Sequence, residues 1–376
     1  MSIEAGLERR RPRPTARALA ALAALALAAG CGSKFALPPE TPGGLVTAKD
    51  EYIFTGGLEA IAGSLTDLLI TRSSGTQLLV AYGAESDTFS SCSAPGRSLP
   101  GGTLALYPIF PPPGAPPLSI HFNGLWRPQL VAEGGGRLFV LDAGDTCQRF
   151  TSPNLAPKVV VYQIGNPTPL TAFSDTNWAE IRGVAVAADH TVYLSGTFRV
   201  AEPDEFGRRT ARFRDGIWRY QEGSGYLRDT GWVVLEGSGT GFVSRNRGVA
   251  WGPASNPYLW VADGEKQAVQ KLLIETDSLS HGVYQFDGTQ SGLRFQDPVD
   301  VSVDDQGFVY VVDRGSARVV RYQDQGGSAD FVQIVNTGKP EGAPRLTGPL
   351  AVAALDTMVY VADPPSNRAA RFERHR

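Results

Sequence analysis

Six short apolar stretches recur along this chain, most of them closing on an aspartate, and their spacing restricts the fold more than any other feature. They are LLVAY (78–82), LFVLD (138–142), VYLSG (192–196), LWVAD (259–263), VYVVD (309–313) and VYVAD (359–363). Their last residues, Tyr82, Asp142, Gly196, Asp263, Asp313 and Asp363, are separated by 60, 54, 67, 50 and 50 positions. A second set runs just upstream: PQLVAE from Pro128, IRGVAV from Ile181, NRGVAW from Asn246, PVDVSV from Pro298 and PLAVAA from Pro349. Turn-forming segments such as DDQG and ADHT join the two sets, which reads as a tight hairpin in each copy.

Two further strand-like runs follow each hairpin, for example RVVRYQ and DFVQIVN in the fifth copy. Four short antiparallel strands in about 50 residues match the content of a propeller blade, and apolar residues nowhere recur at helical spacing. Stretches such as VYVVD are apolar on both faces, as expected where sheets stack face to face around an axis. With 43 glycines, 27 prolines and 42% hydrophobic residues, the chain has many turns around a substantial core. The fold class expected is all-β: a six-bladed β-propeller of four-stranded antiparallel blades. The last copy stops after its third strand, so EYIFTG (51–56) is expected to supply the missing outer strand and close the ring.

The pattern P-x-G-V-A-V followed by G-x-V-Y-V-A-D-x-x-x-x-R-I resembles the NHL repeat, a family of six-bladed propellers. The best copies are Pro298–Tyr322 and Pro349–Phe372, with Asp313/Arg318 and Asp363/Arg368 each five residues apart. Elsewhere the pattern degrades. Asp263 is followed by Ala268, Asp142 by Cys147 in the arginine's place, and Tyr82 and Gly196 stand where the aspartate belongs. The resemblance covers residues 51–376 and implies a fold, not an activity. A site is normally single, so a carboxylate recurring once per blade (Asp142, Asp263, Asp313, Asp363) with Arg318 and Arg368 reads as structural. It is expected to accept backbone amides of its own turn and to pair with the arginine across it.

The N-terminus is set apart from the fold. Arg9, Arg10, Arg11, Arg13 and Arg17 precede an apolar run from Ala18 to Ala29, which is shorter than the about 20 residues a spanning helix needs. The run ends AAGC, with Cys31 after small residues, which resembles the lipobox of bacterial lipoproteins. That resemblance implies cleavage before Cys31, acylation of its thiol, and a protein anchored on a membrane of the bacterial cell envelope; Gly32 after the cysteine favours the outer membrane. Residues 1–30 are then a signal peptide, 31–50 a flexible tether and 51–376 the propeller. With Cys31 lipidated, Cys92 and Cys147 remain as an even pair in an oxidising compartment and are expected to form a disulfide.

Removing the leader's five Arg and two Glu from 35 basic and 38 acidic residues leaves a net charge of −6. That balance argues against a nucleic-acid partner. No serine-hydrolase, phosphate-loop or calcium-loop motif occurs. The four histidines, His121, His190, His281 and His375, are scattered, and His190 and His281 read as exposed turn residues. No catalytic residues, cofactor or metal ligands are assigned. Relatives of the gluconolactonase type hold a divalent cation with acidic and amide side chains at the channel mouth. Under that alternative, a metal-dependent hydrolase or lyase, the candidates are Asp67, Asn246 and Asp297.

Arg182 and Arg247 share a register, one residue before GVA in adjacent copies, and with Asn246 and Asp297 are candidate binding residues near one channel mouth. The insertion RVAEPDEFGRRTARFRDG (199–216) is expected as a loop on the same face. The function expected is binding: a monomeric scaffold, anchored to a membrane by lipid, for a protein or an envelope polymer.

Overall fold

The computed structural model describes residues 51–374 except 60–63, 72–76, 84–102, 111–116, 119–121, 123, 145–155, 253–257, 275–280, 338–341 and 356. The signal peptide, the tether, Cys31, Cys92, Cys147, His121 and His375 lie outside the described residues, so lipidation and the disulfide stand as expectations.

Among the described residues, twenty-three strands form six antiparallel sheets, each a blade. Strand β1 (Tyr52–Glu59) comes first. Blade one contains β2 (Ser64–Thr71), β3 (Gln77–Gly83) and β4 (Thr103–Pro108); blade two contains β5 (Pro128–Gly134), β6 (Arg137–Asp142), β7 (Lys158–Gln163) and β8 (Pro169–Phe173). Blade three has β9 (Trp178–Val186), β10 (Val192–Pro203), β11 (Arg209–Gln221) and β12 (Leu227–Leu235). Blade four is β13 (Asn246–Trp251), β14 (Tyr258–Asp263), β15 (Ala268–Leu273) and β16 (His281–Phe286). Blade five follows as β17 (Pro298–Val303), β18 (Phe308–Asp313), β19 (Arg318–Asp324) and β20 (Ala329–Ile334). In blade six, β21 (Ala351–Leu355), β22 (Met358–Asp363) and β23 (Arg368–Arg374) share a sheet with β1, whose Tyr52 lies opposite Arg374 and Glu59 opposite Arg368.

The core explains the two-faced apolar strands. Six hydrophobic clusters occur, one between each pair of neighbouring blades, including blades six and one. In β18, Val309 and Val311 face blade four while Tyr310 and Val312 face blade six, all fully buried. Burying such a side chain contributes roughly 1.5–3 kcal/mol, so a second strand covered on both faces contributes strongly to holding its blade against both neighbours. Outer strands need only one covered face, and β16 duly alternates, with Val283 exposed and Phe286 buried.

Segment 199–216, expected as a loop, is instead strand. Here β10 runs twelve residues and β11 thirteen, paired without a register shift from Val192 opposite Tyr220 to Pro203 opposite Arg209. The part from Thr197 to Asp215 rises beyond Gly196 as an arm of roughly 23 Å, with β9 still beside β10 as far as Phe198 and only two strands further out. Its tip turns on Asp204, whose carboxylate accepts the amides of Phe206 and Arg208 and pairs with the Arg208 guanidinium. Gly207, at φ 75°, supplies the left-handed residue.

Candidate functional site

Each repeat aspartate ends the second strand of its blade and reaches back to the segment that leads into the first. Asp313 Oδ1 accepts the amides of Gln296 (3.0 Å) and Asp297 (2.9 Å), and its Oδ2 accepts from Arg318 Nη2 at 2.8 Å. Asp363 takes the amides of Thr347 and Gly348, with Arg368 at 3.6 Å. Asp142 takes those of Trp126 and Arg127, and Asp263 that of Ser244. All four carboxylates are fully buried. The expectation of bonds within the carboxylate's own turn is thus corrected: such bonds occur at Asp142 and Asp263, to Gly144 and Lys266, but the recurrent partners lie 15–19 residues upstream. Nor is Arg318 bidentate on Asp313, since the same Nη2 also reaches the Leu293 and Arg294 carbonyls. The residue opposite Asp142, where the other blades carry Arg318 and Arg368, is Lys158 and not Cys147. A longer segment between β6 and β7 breaks the five-residue offset, and Lys158 Nζ lies 3.9 Å from the carboxylate.

The first strands of all six blades line a central cavity of about 610 Å³. Its wall is mainly aliphatic, and of the carboxylates that line it, Asp67 in β2 and Asp300 in β17 share one register, while Glu133 and Asp305 lie elsewhere on the wall. Each ties its blade to the next, Asp67 Oδ2 accepting the Val131 amide at 2.7 Å and Asp300 Oδ2 the Val352 amide at 2.9 Å. Burial pushes both carboxyls up, Asp300 to about 7, and the negative charge of Asp300 pushes Asp67 further in the same direction. Asp300 was not singled out in the sequence, although aligning LTDLLI (65–70) with PVDVSV (298–303) puts both aspartates in one column.

At the mouth, Arg182 is committed to the fold. Arg182 donates to the Asn246 carbonyl (2.7 Å), Glu180 (2.9 Å), Thr197 (2.9 Å) and Asp215 (2.6 Å), which uses every guanidinium nitrogen. Asn246 is buried and donates to the Gly216 carbonyl at 2.7 Å; its Oδ1 has no partner among the described residues. Asp297 is held by Arg314 at 2.6 Å, and Arg247 lies 3.9 Å from it. Burial lowers the proton affinity of the Arg247 guanidinium, an effect Asp297 opposes and the neighbouring Arg314, Arg245 and Arg182 reinforce. The glycine after each arginine answers to crowding: a Cβ at Gly183 would lie 2.6 Å from the Arg247 carbonyl, and one at Gly248 would lie 2.2 Å from Asp300 Oδ1.

The cation reading asks for converging donors. Asp67 lines the cavity, whereas Asn246 and Asp297 do not, and among the described residues no three His, Cys, Asp or Glu side chains are grouped for a metal. The three candidates therefore do not fit one ion. His190 is half-buried instead of exposed, joining blades two and three through Glu222 (2.6 Å) and the Gly135 carbonyl (3.1 Å), with Arg137 on the same carboxylate. Hydrogen bonding from Arg137, then from His190, holds Glu222 below the usual carboxylate range.

Apart from the channel, the feature that stands out is the arm. Phe206 at its tip is 72% exposed and Phe213 on its flank 65%. Neither sequence period nor composition had marked it as strand, because its alternation is broken by Pro203, Asp204 and Gly207.

Residues 295–322 match the NHL repeat. The six sheets define a six-bladed β-propeller, and one segment of it, in blade five, matches that repeat. No curated protein matches the chain. Among solved structures, a luciferin-regenerating enzyme is similar at 11% identity with a TM-score of 0.49, over 85% of this chain and 95% of that one.

Proposed function

We propose that this protein is a lipid-anchored cell-envelope scaffold that holds a protein or polymer partner on the arm of blade three. The observation that carries the reading is the arm itself. A two-stranded hairpin is marginal in water on its own, and this one keeps Phe206 and Phe213 exposed while adding little to the interblade clusters beyond Phe198 and Val200. Large exposed aromatic side chains on a projecting element are expected of a contact surface. Tyr52 begins β1 beside Arg374, at the end of β23 remote from Asp363, whereas the arm rises from the face that carries the repeat aspartates.

The test compares the wild-type chain with one in which residues 201–211 are replaced by an Asn-Gly turn. A photo-crosslinker at Phe213 is expected to capture a partner in cells, one at Phe331 on the outer strand of blade five is not, and the shortened chain is expected to lose the partner while melting as the wild type does. Equal capture from both positions sinks the reading. The alternative of a metal-dependent hydrolase or lyase is checked on the same preparation, since a stoichiometric divalent cation surviving purification would favour it.

A further inference from the structure

The arm offers more than exposed rings. Because β10 and β11 pair without a shift, their backbone groups alternate strictly between the shared seam and the outer edges. The Arg199 amide donates outward, to the Asn177 carbonyl at 2.8 Å, so the pair Arg199–Phe213 turns its backbone away from the seam. By the same alternation Arg209, Ala211 and Phe213 direct their N–H and C=O groups off the free side of β11. No described strand pairs with that side, since β12 joins β11 only from Gly216 onward. The edge of β10 is blunted by Pro203, which has no N–H, but β11 carries no proline, and from Arg209 to Phe213 it pairs without a bulge. An unpaired strand edge is a template for another strand.

We infer that the edge of β11 from Arg209 to Phe213 takes up an extended segment of another protein in which acidic and apolar residues alternate, adding it as a third strand of the arm. This rests on the arm being the contact surface. The two faces of β11 specify the occupant. Ala211 and Phe213 lie on one face, with Arg209 beyond them and Arg199 across the seam from Phe213, and Arg212 and Arg214 lie on the other, 52% and 39% exposed. Arg214 is paired with Glu202 at 2.8 Å and lies 3.8 Å from Glu236, while Arg212 is 3.9 Å from Glu202. From Arg199 to Arg214 there are five arginines against Glu202, Asp204 and Glu205, a net charge of +2 within a chain of net −3. A second copy of this edge would bring arginines opposite arginines, which is destabilising, whereas a strand with carboxylates on that face and aliphatic side chains beside Phe213 complements both faces.

The probe is a fluorescent decapeptide of alternating glutamate and valine, with a lysine–valine peptide of the same length as control, read by anisotropy at neutral pH. The purified chain is expected to bind the first and not the second. Methylating one alternate set of peptide amides should abolish binding and methylating the other should spare it. Ala211→Pro removes an outward N–H without touching the seam, and should weaken binding at least about tenfold with the melting temperature unchanged. Equal binding of both peptides, insensitivity to methylation, or full binding by Ala211→Pro overturns the inference, as does a dimer of the protein that Ala211→Pro dissociates. Should that substitution disturb the arm, the methylated peptides test the same bonds on the wild-type chain. Ala211→Pro keeping the cellular partner that the shortened chain loses would leave the arm as the contact and remove strand addition.

Discussion

Blade five and blade three are built from the same repeat, and they part at one residue, the last of the second strand. In blade five Asp313 captures the two amides that would otherwise continue the ladder, and β17 and β18 stop there after six residues each. In blade three that position is Gly196. A side chain has no room, because a Cβ would lie 2.1 Å from the Glu180 carbonyl. The ladder runs on instead: Thr197 pairs with Glu180, Phe198 with Trp178, and the Arg199 amide reaches the Asn177 carbonyl. The repeat aspartate of blade five thus ends strand pairing as well as tying the segment ahead of β17, and in blade three, where glycine replaces it, the pairing continues into the arm. Asp215 at the arm's base makes a different tie, to the next blade, by accepting the amide of Arg245 just ahead of β13 at 2.8 Å.

The sharpest break of this comparison is Asp313→Ala. It strands two buried amides and an arginine, and breaking a buried ion pair from one side costs about 3–5 kcal/mol. Chemical denaturation should show a loss of that size, with crosslinking from Phe213 unchanged. A loss below about 1 kcal/mol would mean that the aspartate does not hold the segment ahead of β17.

The blades were legible in the sequence because the second strand is buried on both faces and so cannot alternate, and because its terminating carboxylate recurs. Residues whose role depends on loop length were not. Lys158 stands opposite Asp142, yet fifteen residues separate them, so a search at fixed offset stopped at Cys147. Arg182 shares its register with Arg247, and sequence had no means of showing that Glu180, Thr197 and Asp215 would consume its donors. The arm was hidden for the opposite reason. A solvated hairpin has no buried face to impose a period, and its charges read as a loop.

Blades five and three also differ inside the channel, where Asp300 shares a register with Gly183. A carboxyl raised by burial to about 7 keeps its proton in the folded chain over a range where the unfolded chain has released it. Folded protein then binds more protons than unfolded, so this group's contribution falls as pH rises from about 4 to about 7 and is constant above. Asp300→Asn keeps an acceptor for the Val352 amide and cannot ionise. Its stability relative to wild type should therefore climb across that window in parallel denaturation series at several pH values. A difference independent of pH would show that Asp300 ionises as freely in the channel as in water.

The smallest effect concerns the turn that follows each second strand. In blade five it passes through Ala317 at φ 50°, and blade six uses Asn367 at φ 51° for the same purpose, whereas the arm of blade three already has Gly207 at φ 75°. A left-handed conformation costs a residue with a Cβ about 1–2 kcal/mol, and asparagine tolerates it better than alanine. Glycine would remove that cost but add freedom to the unfolded chain worth about 0.4–1 kcal/mol. Ala317→Gly should thus stabilise the protein by roughly 0.5–1 kcal/mol, the difference between those two effects. The reverse exchange in blade three, Gly207→Ala, acts on the tip of the arm, which lies outside the interblade clusters, so it should leave the melting temperature in place and show only as faster proteolysis at the tip. Melting curves that moved by equal amounts for the two substitutions would mean that arm and disc unfold as one unit, and the division between a terminated blade and an extended one would fail.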